Sequence, residues 1–222
     1  MKKILYPALF CCLLLFESCF EIIEQVFIKN DGSGNFQLLV NMSKSKTKLN
    51  SIMKMKTVNG HEIPSKAEVT KQVAEIENTI KKTPGISQVK TVVDFDNYII
   101  SLSCSFLNAG SLNAAVKNIG DKEKAKDKTV EKIYEYDAAG KTFSRLNKFS
   151  LKDEYQKMSN ADREIFATAN YTSIFRFDRE VGGTSNKESK VAVSKKAVML
   201  KLNALDIITN KKSIENKINL TN

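Results

Sequence analysis

Two stretches of this sequence alternate apolar and polar residues with a strict period of two, and that pattern confines the chain to folds built on a half-buried sheet. In the first, Phe36, Leu38, Val40 and Met42 fall on one face, with Asn35, Gln37 and Asn41 on the other. In the second, Tyr98, Ile100, Leu102, Cys104 and Phe106 oppose Ser101, Ser103 and Ser105. A sheet that is apolar on one side must have that side covered. Helical periodicity supplies candidates for the cover. Ser65-Lys66-Ala67-Glu68, after Pro64, reads as a capping box. It opens a helix whose Val69, Val73, Ile76 and Ile80 share one stripe, stopped by Pro84-Gly85. Gly110-Ser111 opens a second amphipathic helix, with Leu112, Ala115, Val116 and Ile119. These patterns predict an α+β fold: antiparallel sheets with amphipathic helices packed on one face, in two coupled lobes.

The remaining chain repeats the rhythm. A strand over 20–29 precedes the turn Asn30-Asp31-Gly32-Ser33-Gly34, and a short helical segment carries Leu49, Ile52 and Met53. Strands over 86–95 and 97–107 meet at Asp94–Asn97. Residues 120–128 (GDKEKAKDK) are charged and lack core positions, and mark a connector. Beyond it come a hairpin over 129–137 and 141–149, a helix over 159–169, and an aromatic strand from Tyr171 to Phe177. Strands over 189–194 and 196–202, a short helix from Asn203 and a last strand over 217–220 follow. The organisation read from the sequence is 1–18, a leader; 19–119, a first sheet-and-helix lobe; 120–128, the connector; and 129–222, a second lobe.

Residues 1–18 have the anatomy of an export signal. Lys2 and Lys3 form a positive start, Ile4 to Phe16 is apolar apart from Pro7, and Glu17-Ser18 breaks the run before Cys19. Thirteen residues are too few to span a bilayer comfortably. The stretch Leu15-Phe16-Glu17-Ser18-Cys19 resembles a lipobox, which implies that Cys19 accepts lipid; acyl chains such as palmitate there would hold the protein to a membrane, and without them the protein would be secreted. Removal of the leader takes Cys11 and Cys12 with it. With Cys19 capped, Cys104 is left without a disulfide partner, so packing alone must hold the core.

The formal charge is +10, and only four basic residues are arginine, at 145, 163, 176 and 179. Lysine scattered along a chain reads first as a solvated surface, and second as weak attraction to anionic headgroups or acidic glycans. No basic–aromatic module for nucleic acid is present.

Candidate chemistry is sparse. Asp31-Gly32-Ser33-Gly34 lacks the spaced oxygen ligands of a calcium loop and the Gly-Lys-Ser/Thr of a phosphate loop, so it reads as a hairpin turn. Ser43–Lys46, Ser45–Lys48 and Ser51–Lys54 match a serine–lysine spacing without its partner motifs. His61, the one histidine, lies between Gly60 and Glu62 in what reads as an exposed loop. Cys104 belongs to an apolar stripe and reads as core. Asp94 with Asp96, and Glu135 with Asp137, are carboxylate pairs flanking turns, where acids are common for turn reasons. Tyr171, Phe175 and Phe177 form a stripe that reads as core before it reads as a lipid or sugar platform. No catalytic, cofactor or metal residue is assigned, and Cys19 is the one modification site.

The start Ser18–Phe36 (SCFEIIEQVFIKNDGSGNF) resembles uncharacterised envelope lipoproteins of the Bacteroidota, in which a lipobox cysteine, an acidic-apolar strand and a DGSG hairpin follow one another. Tyr171–Phe177, Val181, Ser185-Asn186 and Lys190–Leu200 resemble the C-terminal half of that group. More distantly, the chain is similar to the LppM-type lipoprotein domain, whose layout implies contact with lipid or envelope glycolipid. The resemblance brings no catalytic residue. The expectation is a non-enzymatic envelope module without a cofactor, anchored through Cys19 to a membrane (the outer membrane, periplasmic side) and binding an envelope protein, lipid or glycan. The alternatives are a carboxylate-dependent glycan or peptidoglycan hydrolase and a dedicated lipid- or glycolipid-binding lipoprotein.

Overall fold

The computed structural model describes residues 20–122, 132–146 and 151–221. The leader, Cys19 and most of the charged connector lie outside the described residues. Strand β1 (Glu21–Ile28) turns through Asn30–Ser33 into β2 (Gly34–Asn41), in register from Glu21 opposite Asn41 to Ile28 opposite Gly34. The DGSG stretch is the expected turn. Gly32 takes φ +84° and donates to the Lys29 carbonyl at 3.0 Å, while Asp31 accepts from the Ser33 backbone N–H at 2.9 Å. Gly34 is required for closeness rather than torsion: a Cβ there would lie 1.9 Å from the Phe27 carbonyl oxygen.

A 3-10 turn (Ser43–Ser45) leads into α1 (Lys46–Ile52), followed by a two-residue hairpin, β3 (Thr57–Val58) with β4 (His61–Glu62). Helix α2 (Lys66–Lys81) carries the predicted capping box, with Ser65 N donating to Glu68 Oε2 at 2.7 Å and Glu68 N to Ser65 Oγ at 3.2 Å. Of its apolar stripe only Ile80 is fully buried; Val69, Val73 and Ile76 are half-buried. Strands β5 (Ile86–Asp94) and β6 (Ile99–Phe106) pair as expected. Tyr98 is displaced from the strand face into the turn, at φ +54°, yet it stays buried and donates to Asn50 Oδ1 at 2.7 Å. Helix α3 (Ala109–Lys122) continues two residues past Gly120, so the start of the predicted connector is helical.

The second half supplies β7 (Tyr134–Asp137), β8 (Thr142–Arg145), α4 (Lys152–Lys157), α5 (Asn160–Ala167), β9 (Asn170–Phe177), β10 (Val181–Thr184), β11 (Lys190–Val191), β12 (Ala197–Asn203), α6 (Ala204–Ile208) and β13 (Asn216–Leu220). Two expectations change here, and one strand is new. The 129–137 and 141–149 hairpin narrows to β7 and β8, its outer ends at 129–131 and 147–149 lying outside the described residues. The strand over 189–194 shrinks to two residues, because Ala192 to Lys195 close a turn into β12. Strand β10 has two central glycines and no apolar alternation to reveal it.

A seven-stranded sheet has the order β11-β12-β9-β1-β2-β6-β5, and a four-stranded sheet the order β10-β13-β8-β7. Pairing is antiparallel throughout both except between β1 and β9, which run parallel from Glu21 opposite Asn170 to Ile28 opposite Phe177. That pair joins strands from both sides of the connector in one sheet. The smaller sheet and α3 cover one face of the larger one. Phe143 from β8 sits 5.1 Å from Phe175 and 5.7 Å from Phe177, ring centre to ring centre, among Val26, Val198 and Ile218. Asn113 of α3 fastens β7 to this core, accepting from the backbone of Ile133 and Tyr134 and donating to the Tyr134 carbonyl at 2.8 Å. Both sheets and all the described core residues lie between Phe20 and Leu220.

Candidate functional site

Alternation turns every second residue of the large sheet away from the core, and this outer face holds the candidate site. One cross-strand row runs Lys90, Ser103, Gln37, Gln25, Ile174 and Met199. The next runs Ser105, Asn35, Phe27, Arg176 and Ala197. Between them lies a shallow groove of 380 Å³, with Gln25, Phe27, Gln37, Ser103 and Arg176 among its lining residues. Gln88 closes one side. It sits at φ +51° in the β5 bulge, where the register slips between Ser87 and Lys90.

The polar groups of the groove form one connected set. Arg176 Nη1 donates to Gln25 Oε1 at 2.8 Å, and Gln25 Nε2 donates to Gln37 Oε1 at 3.2 Å. Ser105 Oγ lies 2.8 Å from both Asn35 Oδ1 and Gln88 Oε1. A hydroxyl has one proton and cannot donate to both, so one of the two amides must turn its NH2 toward the serine. The set therefore offers donors and acceptors that can exchange partners, beside a half-exposed aromatic ring at Phe27. Such a surface suits a ligand rich in hydroxyl or anionic oxygen, held by amides, a guanidinium and ring stacking.

Further along the same face, Glu21 accepts from Thr172 Oγ1 at 2.7 Å and pairs with Lys201 Nζ at 3.2 Å. Burial pushes its pKa up, but the bonds from Thr172 and Lys201 outweigh that and leave it lowered.

The covered face contains a second polar cluster that periodicity did not reveal. Glu24 points inward from β1 and receives Arg145 Nε at 3.0 Å and Nη2 at 3.2 Å, with the Tyr171 hydroxyl donating at 2.7 Å. The Arg145 guanidinium also lies over the Tyr134 ring, 5.3 Å from its centre. Both charged side chains are 7% exposed or less. Burial, reinforced by the Glu24 charge, pushes the phenols of Tyr134 and Tyr171 up. Burial also opposes charge on Arg145, but Glu24 outweighs it and the arginine pKa is raised. A paired charge sealed from solvent and packed between two sheets acts as a clamp.

The residues singled out from sequence fall as follows. Cys104 is buried, and burial pushes its thiol up to about 11. Asp94 accepts from the Asp96 and Asn97 backbones at 2.9 Å, and Asp137 accepts from Ala139 and Gly140, so both acids close turns. Ser51 donates back to the Thr47 carbonyl along its own helix, and Lys46, Lys48 and Lys54 are exposed. Tyr171, Phe175 and Phe177 are core. His61 is exposed as expected, but it lies in a hairpin rather than a loop, with Nε2 3.2 Å from Asp162 Oδ2. Ser159 also bonds Asp162, through its hydroxyl at 2.7 Å, as the cap of α5. Serine and histidine thus both address the carboxylate, which is not the relay a nucleophilic serine needs. Among the described residues, no group of three potential metal ligands occurs. Cys19 lies outside them.

No family model matches the chain, and no curated protein matches its sequence. Its fold is similar to the NMR structure of the folded domain of LppM from Mycobacterium tuberculosis. The TM-score is 0.47 and the identity 12%, over 94% of this chain and 95% of that one. At that identity no site residue transfers from one to the other. No described helix is long and apolar enough to cross a membrane.

The groove was half legible. The sequence places Asn35, Gln37, Ser103 and Ser105 on polar faces of two strands, but not beside each other. Arg176 was hidden inside an aromatic strand, and only the parallel β1–β9 register brings it to Gln25.

Proposed function

We propose that this chain is a lipid-anchored envelope lipoprotein, held to the membrane through Cys19, that binds a glycan-like ligand on the open face of its large sheet without chemically altering it. The observation that carries the reading is the groove itself: amides, hydroxyls and a guanidinium arranged around Phe27 on the open face of the sheet, while elsewhere Asp94 and Asp137 close turns and Cys104 is core. The leader and Cys19 support the anchor. So does the resemblance of Ser18–Phe36 and Tyr171–Leu200 to envelope lipoproteins of the Bacteroidota, which favours the periplasmic side of the outer membrane.

Two measurements test this. Mass spectrometry of the mature protein is expected to find an acylated N-terminal Cys19, with Cys19→Ala released from the membrane fraction; an unmodified residue 19 refutes the anchor. Titration of the 20–222 fragment with soluble envelope oligosaccharides is expected to give binding that Arg176→Ala and Gln25→Ala each weaken about tenfold, the loss of one charge-assisted or paired contact. Binding that is absent, or indifferent to both substitutions, refutes the groove. Hydrolysis of the oligosaccharide during the titration refutes the non-enzymatic reading.

A further inference from the structure

The stretch from Gly32 to His61 contains five lysines, at 44, 46, 48, 54 and 56, and no carboxylate. All five side chains are exposed, and among the described residues none forms an ion pair. Lys44 and Lys46 only feel Glu21 and Asp94 at longer range. The segment is lightly packed, although Asn50 ties it to the sheet by accepting from Tyr98. Helix α1 buries no residue; Leu49, Ile52 and Met53 are half-buried, and Met55 is 52% exposed. Basic residues interleaved with incompletely covered Leu, Ile and Met are the composition of a segment that lies in a membrane interface.

Its place in the fold supplies the second argument. The segment leaves β2 at Asn41, whose partner across the sheet is Glu21, two residues from Cys19. The cation cluster therefore stands at the end of the sheet where the chain emerges from its N-terminal portion.

We infer that residues 43–56 form a docking surface for an anionic lipid bilayer, with the lysines meeting headgroup phosphates and Met53 and Met55 entering the interface. A polybasic patch beside the tether would add electrostatic attraction to anionic headgroups and so fix how the anchored body lies on the bilayer. The inference rests on the tether proposed above for its orientation alone, and is independent of the groove.

The test uses the 20–222 fragment, which holds both sheets and the described core but lacks Cys19, so that failure of lipidation and failure of docking stay distinguishable. Sedimentation is measured with phosphatidylcholine vesicles, with and without roughly one phosphatidylglycerol in three. The expected result is binding to the anionic vesicles only, weakening as salt rises. Replacing the five lysines by glutamine is expected to lower the partition coefficient about tenfold or more, while the same change at Lys187, Lys190, Lys195, Lys196 and Lys217 shifts it less than about twofold. Circular dichroism checks that each variant is folded. The chain has no tryptophan, so Met55→Trp adds a single reporter with every lysine intact; brominated lipids are expected to quench it. Absence of binding to anionic vesicles, equal losses from the two lysine sets, or an unquenched reporter overturns the inference.

Discussion

Removing Arg145 should do more damage than removing any other charged side chain in the described structure, because it strands a carboxylate in the core. Glu24 receives three of its hydrogen bonds from two groups, the Arg145 guanidinium and the Tyr171 hydroxyl, and its side chain is 5% exposed. In Arg145→Met the volume is nearly retained, but the charge on Glu24 loses its cation and keeps only the neutral hydroxyls of Tyr171 and Tyr134. Breaking one side of a buried pair costs about 3–5 kcal/mol. For a chain of this size each kcal/mol lowers the melting temperature by about 2–4 °C, so the variant should melt roughly 6–20 °C below the wild type. Replacing both partners, as Glu24→Leu with Arg145→Met, removes the stranded charge. The double variant is expected to be more stable than Arg145→Met alone, short of wild type by the ~1–3 kcal/mol of an unpartnered Tyr171 hydroxyl. Adding Tyr171→Phe should recover that remainder. Urea denaturation of the four proteins at one pH measures all these terms. A loss below about 1 kcal/mol for Arg145→Met, or a double variant less stable than the single, would refute the clamp.

Three further outcomes follow from local geometry. Gly34→Ala is expected to cost several kcal/mol or to prevent folding, since its Cβ would meet the Phe27 carbonyl oxygen at 1.9 Å and Phe106 Cζ at 2.7 Å; a melt within 2 °C of wild type, about 1 kcal/mol, contradicts that geometry. Cys104 should be inert to a thiol reagent at pH 8 until the protein is unfolded, and because burial raises its folded pKa from 9.0 to about 11, stability should be full below pH 9 and fall as pH rises between those values; rapid labelling of the native protein counts against it. Asp162 has a lowered pKa, set first by the Ser159 hydroxyl and then by His61, so what it contributes is present above 3.8 and lost as pH falls through the folded value. In an NMR titration Ser159→Ala should therefore raise the Asp162 pKa more than His61→Ala does, and the reverse order would show that the histidine dominates.

How much of this was legible depended on whether the information is local. The hairpin at Asp31–Gly34, the capping box at Ser65 and Glu68, and the alternating faces of β2 and β6 are set by neighbours a few residues apart, and the sequence reading places them within one or two residues. Glu24 illustrates the other case. It occupies an inward position between Ile22 and Val26, a parity that signals core, while its charge signals surface; the conflict resolves only through Arg145, 121 residues away. A charged residue at an inward position of an otherwise apolar strand, in a chain with only four arginines, was the available signal. Likewise, nothing in the Tyr171–Phe177 strand announces that it pairs in parallel with β1, since parallel neighbours share no turn. The groove inherits that limit, because its two rows exist only once β9, β1, β2 and β6 stand side by side.

The position of β1 gives the two proposals a common physical basis. It is the fourth of seven strands, bonded on one side to β2 and on the other to β9, and it begins at Glu21, two residues from Cys19. A tether at Cys19 would thus pull on a central strand paired along its whole length on both sides, so the sheet's orientation to the bilayer would be set by the fold. At about 3.3 Å per residue, Gln25 stands roughly 13 Å further from the anchor than Glu21, and Phe27 about 20 Å. The Debye length at physiological salt is about 8 Å. The lysines of residues 43–56, next to the Glu21 end, then fall within reach of headgroup charge, while Arg176 beside Gln25 lies beyond most of it. On both proposals, the same basic chain would use lysine for the membrane and arginine for a ligand, without either site competing for the other's partner.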